Sequence, residues 1–378
     1  MKIETKLLHA GVEPDPSTGA IMTPIFQTST YVQEGVGINK GYAYSRTQNP
    51  TRHALEKNLA AIENAKFGLC FGSGMAAIDA ALKILNPGDE VISTSDLYGG
   101  SYRIFTTIFE KYGINFIFVD MTIVDNVKEA ITDNTRMIWV ETPTNPMMSI
   151  IDIKGISEIK NDKIILAVDN TFASPYLQNP LDLGADLVMH SVTKFLGGHS
   201  DVVMGALMLN DETIAKDLYR IQNSSGAISG PQDCFLVLRG VKTLHVRMEK
   251  KKNKKKKVVE FLVSHPKVDK VYYPGLETHP NHEIAKSQMR DFGGMISFSL
   301  KSDTTEAAHS VLKKTKLFSL AESLGGVESL IGHPATMTHG AIPRKVRLQS
   351  GVLDSLIRLS VGIEEVSDLI EDLTTALD

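Results

Sequence analysis

Lys194 stands in the run Ser191-Val192-Thr193-Lys194, followed by Phe195-Leu196-Gly197-Gly198-His199. The apolar residues 187–190 before it read as a buried strand. The lysine therefore emerges at a strand end, between two hydroxyls and a glycine pair. Desolvation there lowers a lysine pKa and makes the amine a nucleophile toward carbonyls. The Ser191 and Thr193 hydroxyls suit a phosphate. A second constellation is Gly72-Ser73-Gly74-Met75-Ala76-Ala77. Ser73 can cap the helix that begins here, and the free amides at its start can hold an anion. Asp169, in Val168-Asp169-Asn170-Thr171, ends another apolar strand. A carboxylate at that edge can pair with a protonated ring nitrogen. Arg358 interrupts the strand pattern 356–361, and its guanidinium fork suits a carboxylate.

Taken singly, each feature has an ordinary alternative: a structural turn, a strand-end turn residue, an exposed loop lysine, an edge-strand arginine paired internally. The glycine run is also G-x-G-x-x-A, the dinucleotide fingerprint, with Asp96 as the acidic residue about 20 positions on. An NAD oxidoreductase is therefore a rival. The four features together offer a phosphate site, a carboxylate for a ring nitrogen, a Schiff-base lysine and a carboxylate clamp. An enzyme that uses pyridoxal 5'-phosphate (PLP) on amino acids needs all four. The dinucleotide reading uses only the first.

The elements that must position these groups are legible in outline. Between Lys66 and Leu209, short apolar runs at 67–71, 91–94, 116–119, 137–141, 164–169 and 187–190 alternate with helical patterns at 75–85, 102–112, 124–131 and 153–160. Asn86-Pro87-Gly88 stops the first of these helices. The alternation predicts an α/β fold with a mostly parallel sheet covered by helices on both faces, and ligands at the carboxyl ends of its strands. Residues 1–48, with Pro14, Pro16 and Pro24, read as an extended arm packed on another subunit. Residues 49–241 form the main domain. Residues 242–378 form a smaller α+β domain, with strands at 268–272, 295–300 and 356–361 and helices at 283–289, 306–314 and 364–377. One long helix is expected from about 232 to 265.

The chain has 378 residues, a formal net charge of −4 and two cysteines, Cys70 and Cys234. That charge does not favour nucleic acid, and two cysteines in no metal-type spacing point away from a disulfide framework or a metal site. The first residues carry charges early, unlike a secretory signal, and no apolar run reaches spanning length. A cytoplasmic protein without membrane contact is the expectation. The lysine run 250–257 reads as a solvated helix face.

Further motifs give the chain a resemblance. Tyr44-Ser45-Arg46 with Asn49-Pro50-Thr51, Ser73-Gly74-Met75, Tyr98-Gly99-Gly100, Glu141-Thr142-Pro143-Thr144-Asn145-Pro146, Asp169-Asn170-Thr171, Ser191 to Lys194, Glu322-Ser323-Leu324-Gly325-Gly326 and Met337-Thr338-His339 all match. The sequence resembles the Cys/Met-metabolism family of PLP enzymes over nearly its whole length. The resemblance implies PLP fold type I, the aspartate-aminotransferase-like architecture, and a homotetramer built as a dimer of dimers. It implies that Lys194 carries PLP and shuttles protons, that Asp169 keeps the pyridine nitrogen protonated, and that Tyr98 stacks on the ring and serves as acid or base. Gly74, Met75, Ser191 and Thr193 would hold the phosphate, reached also by Tyr44 and Arg46 of a neighbouring subunit. Arg358, Asn145 and the Ser323 backbone would bind the substrate carboxylate, with Arg103 near the site.

Gly100 stands where methionine γ-lyases of the family carry a cysteine, which speaks against that activity. Ala43 stands where many cystathionine γ-lyases and γ-synthases carry an acidic residue, leaving Glu322 to meet a distal amino group. The implied substrate is a small sulfur amino acid. Cystathionine γ-lyase activity is expected first, γ-synthase second, and β-lyase or homoserine-ester sulfhydrylase third. A catalytically silent scaffold is the reading that intact Lys194, Tyr98 and Arg358 oppose.

Overall fold

The computed structural model describes every residue except 341, and every side chain but that of residue 253 as well. Its larger sheet contains β1 (Phe67–Phe71), β2 (Glu90–Thr94), β3 (Asn115–Val119), β4 (Thr135–Glu141), β5 (Ile165–Asp169), β6 (Leu187–Ser191) and β7 (Gly205–Leu209). The order across the sheet is β1-β7-β6-β5-β4-β2-β3. Strands β2 to β6 pair in parallel, whereas β7 runs antiparallel to both β6 and β1.

Side chains alternate across this sheet with the period of two that a pleat imposes. Met137, Trp139, Ala167 and Leu187 face a core shared with the Gly74–Leu82 helix. Ile138, Val140, Leu166 and Val168 face the opposite core beneath the Ile153–Ile159 helix. Burial on both faces explains why these strands read as nearly continuous apolar runs. The second sheet has the order β10-β11-β12-β9-β8, from β8 (Val268–Tyr272), β9 (Met295–Leu300), β10 (Ser319–Leu320), β11 (Leu330–Gly332) and β12 (Ile357–Ser360). Its core joins Phe298, Leu359 and Ile296 to Leu369 and Leu373 of the C-terminal helix, Val366–Leu377.

Several expectations need correction. Strand β7 and the short β10 and β11 were absent from the sequence reading. The arm contains a helix, Ile3–His9, whose Leu7 is buried. The single long helix is two, Pro231–Val241 and Leu244–Ser264. At the break the Gly240 carbonyl accepts from the Thr243 amide and from Thr243 Oγ1, both at 3.1 Å, and from Arg247 Nη2 at 3.0 Å. The lysine run is not a solvated face throughout: Lys251, Lys254 and Lys255 are buried. Each is satisfied inside the protein. Lys251 and Lys254 donate to backbone carbonyls, and Lys255 pairs with Asp291. Cys70 and Cys234 are both free and buried. Among the described residues, no helix is long and apolar enough to cross a membrane.

Candidate active site

The carboxyl ends of β2, β4, β5 and β6 lie along one edge of the sheet, and each delivers a polar group. Loops after β2 and β4 carry Tyr98 and Asn145. Asp169 is the last residue of β5, and Lys194 follows β6 by three positions. These residues line a cavity of about 330 Å³ together with Gly74, Met75, Ser191, Thr193, Glu322, Ser323 and Arg358. A larger cleft of about 560 Å³ lies elsewhere, lined by Asp96, Asp120 and His279 among others, and shares none of those groups.

The dinucleotide reading fails on topology. The glycine run follows β1, an edge strand whose only neighbouring strand among the described residues is antiparallel β7. Asp96 follows β2, four strands away from β7 across the sheet, and its carboxylate is bonded to Thr144 Oγ1 in the other cleft. A dinucleotide fold needs the glycine turn on a parallel strand beside the one that carries the acid.

At the anion end, Ser73 caps the Gly74–Leu82 helix by accepting from the Ala76 amide at 3.0 Å. The Gly74 and Met75 amides open this helix and have no intrahelical acceptor. A Cβ on Gly74 would lie 3.1 Å from both Cβ and Oγ of Ser191. Glycine thus lets the helix start approach the Ser191 hydroxyl and leaves a concave site for an anion. Thr193 Oγ1 accepts from the Met204 amide at 3.0 Å, which fixes its side chain.

Lys194 Nζ donates to Ser323 Oγ at 2.7 Å. Burial first, and then the Arg358 guanidinium, lower its pKa to about 8 against the opposing pull of Glu322. Asp169 accepts from the Thr171 amide at 3.0 Å through Oδ1. Burial raises its pKa, while the bonds from Thr171 and the field of His190 oppose the rise. His190 is itself buried and paired with Glu63. A buried carboxylate so disposed favours a partner that brings a proton to it. The anion cradle, the amine of lowered pKa and this carboxylate fit PLP: Gly74, Met75, Ser191 and Thr193 for its phosphate, Lys194 for its aldehyde, and Asp169 for its ring nitrogen.

Arg358 is buried on β12. It donates to Asn145 Oδ1 at 2.8 Å and to the Ser323 carbonyl at 3.1 Å. Burial lowers its pKa to about 10, still well above neutrality. Ser323 is held at φ +89°, a left-handed conformation rare for a residue with a side chain. Tyr98, partly exposed to the cavity, has its pKa raised chiefly by burial, an effect that Arg103 opposes and Glu322 reinforces. Arg103 itself lies on the exposed side of the Gly99–Thr107 helix and does not line the cavity. Tyr44 and Arg46 also stand apart from it. Arg46 packs over the Tyr44 ring at 5.5 Å, donates to the Asn223 carbonyl at 2.6 Å, and lines a separate surface hollow.

Two positioning residues were not singled out from the sequence. Glu141 ends β4 and accepts from the Tyr98 and Asn145 amides, both at 3.0 Å. Burial, and then Asp169 nearby, push its pKa up. His339 Nε2 lies 3.1 Å from the Asn145 carbonyl and 3.2 Å from that of Leu97, so it ties together the Tyr98 and Asn145 loops. Burial lowers its pKa to about 4, and the ring is neutral at pH 7. Both residues sit inside quoted motifs. A glutamate closing an apolar strand was the available signal.

This sheet, with its lysine, strand-end aspartate and anion cradle at one edge, defines a PLP-dependent enzyme of fold type I. The chain belongs to the Cys/Met metabolism PLP-dependent enzyme family, whose pattern matches residues 4–378. It is 52% identical over 99% of its length to a cystathionine beta-lyase of Coxiella burnetii, covering 97% of that protein. It is 50% identical over 100% of its length to a cystathionine gamma-lyase of Dictyostelium discoideum, covering 98% of that protein. The crystal structure of a cystathionine gamma-lyase from Lactobacillus plantarum complexed with L-serine superposes with a TM-score of 0.97 at 44% identity, covering 100% of this chain and 98% of the other.

Proposed function

We propose that the protein is a cystathionine γ-lyase, converting cystathionine and water to cysteine, ammonia and 2-oxobutanoate. The observation that carries this reading is the presence of two oppositely charged anchors, Arg358 and Glu322, in the cavity that holds Lys194. Cystathionine has an α-carboxylate for the first and a distal ammonium for the second. When bound, PLP supplies an electron sink that acidifies the Cα–H of an attached amino acid.

The chain's own groups do the remainder. Arg358, held by Asn145 Oδ1 and the Ser323 carbonyl, orients the α-carboxylate end. The Lys194 amine, with a pKa near 8, would remove the Cα proton, hand it on to the bound cofactor and, neutral again, remove a Cβ proton. Tyr98, whose proton is held firmly by burial, donates to the departing cysteine sulfur. Asp169 holds a proton at the ring nitrogen.

A second reading, cystathionine β-lyase, is favoured by the 52% identical relative of that name. Turnover of cystathionine with product analysis separates the two. Cysteine and 2-oxobutanoate are expected, whereas homocysteine and pyruvate would make the protein a β-lyase. Efficient cystathionine formation from an acylated homoserine and cysteine, with negligible cleavage, would make it a γ-synthase.

We propose also that the chain works as a homotetramer, a dimer of dimers, in which Tyr44 and Arg46 reach the phosphate site of a neighbouring subunit. The support is that they line a separate hollow and not the cavity of their own chain, together with arm residues Val32 and Val36, which are 96% and 105% exposed in the single chain. Val32, Val36 and Ile38 concentrate exposed apolar side chains in one short segment, which suits contact with a partner.

A further inference from the structure

Lys251 is an unusual lysine. It is 0% exposed, and among the described residues no carboxylate pairs with it. Nζ donates instead to two backbone carbonyls, Gly326 at 2.8 Å and Val361 at 2.5 Å. It also lies 5.8 Å from the centre of the Phe195 ring. Those two carbonyls end the two segments from which the Arg358 cluster is built. Gly326 is three residues beyond Ser323, and Val361 three beyond Arg358.

Among the described residues, the loop 323–326 has three other hydrogen bonds, one of them from Lys194 Nζ to Ser323 Oγ at 2.7 Å. The Gly325 amide donates to Ser360 Oγ at 2.9 Å, and the Ser323 carbonyl accepts from Arg358. Gly325, at φ +83°, packs so tightly on the Lys194–Phe195 peptide that a Cβ would meet Phe195 N at 2.6 Å. Ser323 is strained at φ +89°. A strained residue keeps its conformation only where its surroundings over-determine it. Lys251 bridges the far end of the loop to the end of β12 and so closes the structure behind Ser323 and Arg358.

The geometry points to Lys251 as a positioning residue for the α-carboxylate subsite, acting from behind the cavity by holding the Ser323 loop and the Arg358 strand in register. Desolvation, which lowers the Lys251 pKa to about 7, is consistent with an amine placed for its donors rather than for its charge. Arg247 lowers it further, and Glu364 and Glu328 are the acidic groups that oppose this. The neutral amine retains two N–H groups, enough for both carbonyls.

The inference rests on the reading of Arg358 as the carboxylate anchor, and the test separates the two. Holoenzyme is titrated with glycine, which has a carboxylate but no side chain to eliminate, and with ethylamine, which has the amine alone. Dissociation constants are read by calorimetry. Lys251→Met keeps the stem and removes the donors. It is expected to weaken glycine about 10-fold and to leave ethylamine unchanged. Lys254→Met is the control on the same helix. Lys254 Nζ donates to the Ile363 carbonyl at 2.8 Å and to neither of the carbonyls that Lys251 holds, and its loss should change neither constant.

Equal weakening of both ligands by Lys251→Met, no weakening of either, or the same glycine-selective loss in Lys254→Met would overturn the proposal. Should Lys251→Met fail to fold, Lys251→Leu, which also removes the donors, is held to the same criterion. Arg358→Lys is measured alongside. If it leaves glycine binding intact, the carboxylate reading of Arg358 falls; if it weakens glycine while Lys251→Met does not, only the role of Lys251 falls.

Discussion

The proposed chemistry turns on an amine that is neutral more often than an ordinary lysine. With a pKa of about 8 in place of 10.5, a large fraction of Lys194 is unprotonated near pH 8. The neutral form attacks aldehydes, so the rate at which apoprotein captures PLP should rise with pH and level off above about 8. Stopped-flow absorbance measures this, and continued increase up to pH 10 would contradict the lowered pKa. Lys194→Ala should lose the borohydride-fixed cofactor adduct while keeping its fold; a peptide map with the adduct on another lysine would reassign the role. At the other end of the cavity, Glu322→Ala is expected to raise KM for cystathionine more than it lowers kcat, as for lost ground-state binding. A fall in kcat alone would place Glu322 in the chemical step.

Among the elements, strand β4 illustrates how one terminal residue organises two loops. Glu141 offers two oxygens to two amides, Tyr98 and Asn145. Glu141→Gln replaces one acceptor by an NH₂ that faces an N–H. A cost of roughly 1–3 kcal/mol in urea unfolding is expected, together with lower kcat. The Leu244–Ser264 helix makes a different prediction. Its Lys251 amine has a folded pKa of about 7, below its ordinary 10.5. Between those values the unfolded chain binds the additional proton, so the wild type becomes more stable as pH rises through this window and carries its full penalty below about 7. Relative to Lys251→Met, the wild-type apoprotein should gain stability from pH 7 to pH 10, by at most ~1.4 kcal/mol per pH unit. A pH-independent difference between the two melting curves would refute the lowered pKa.

For the whole molecule, the prediction concerns what one chain lacks. Tyr44 and Arg46 do not line the cavity of their own subunit. If they serve a neighbour, mixing Arg46→Ala chains with Lys194→Ala chains should restore activity that neither has alone, since one site in each mixed dimer regains both groups. Mixed dimers without recovery would mean that these residues act within one chain. Light scattering of the wild type, with a mass four times that of the chain, tests the tetramer directly.

The sequence alone determined the parts that depend on local chemistry. Apolar runs bounded by turn residues marked the six large-sheet strands other than β7, because burial on both faces demands unbroken hydrophobicity. Lys194, Asp169, the Ser73–Met75 turn and Arg358 were visible as polar residues at strand ends or inside strands, where polarity is costly without a purpose. Tertiary structure decided what depends on distant partners. Only the paired register shows β1 as an antiparallel edge, which removes the dinucleotide alternative. Only packing shows that Lys251, Lys254 and Lys255 leave water, because the carbonyls and carboxylate that receive them lie 36 to 110 residues along the chain. A lysine's ordinary preference for solvent makes that outcome invisible in a one-dimensional reading, and it is the closing of the fold that supplies the acceptors.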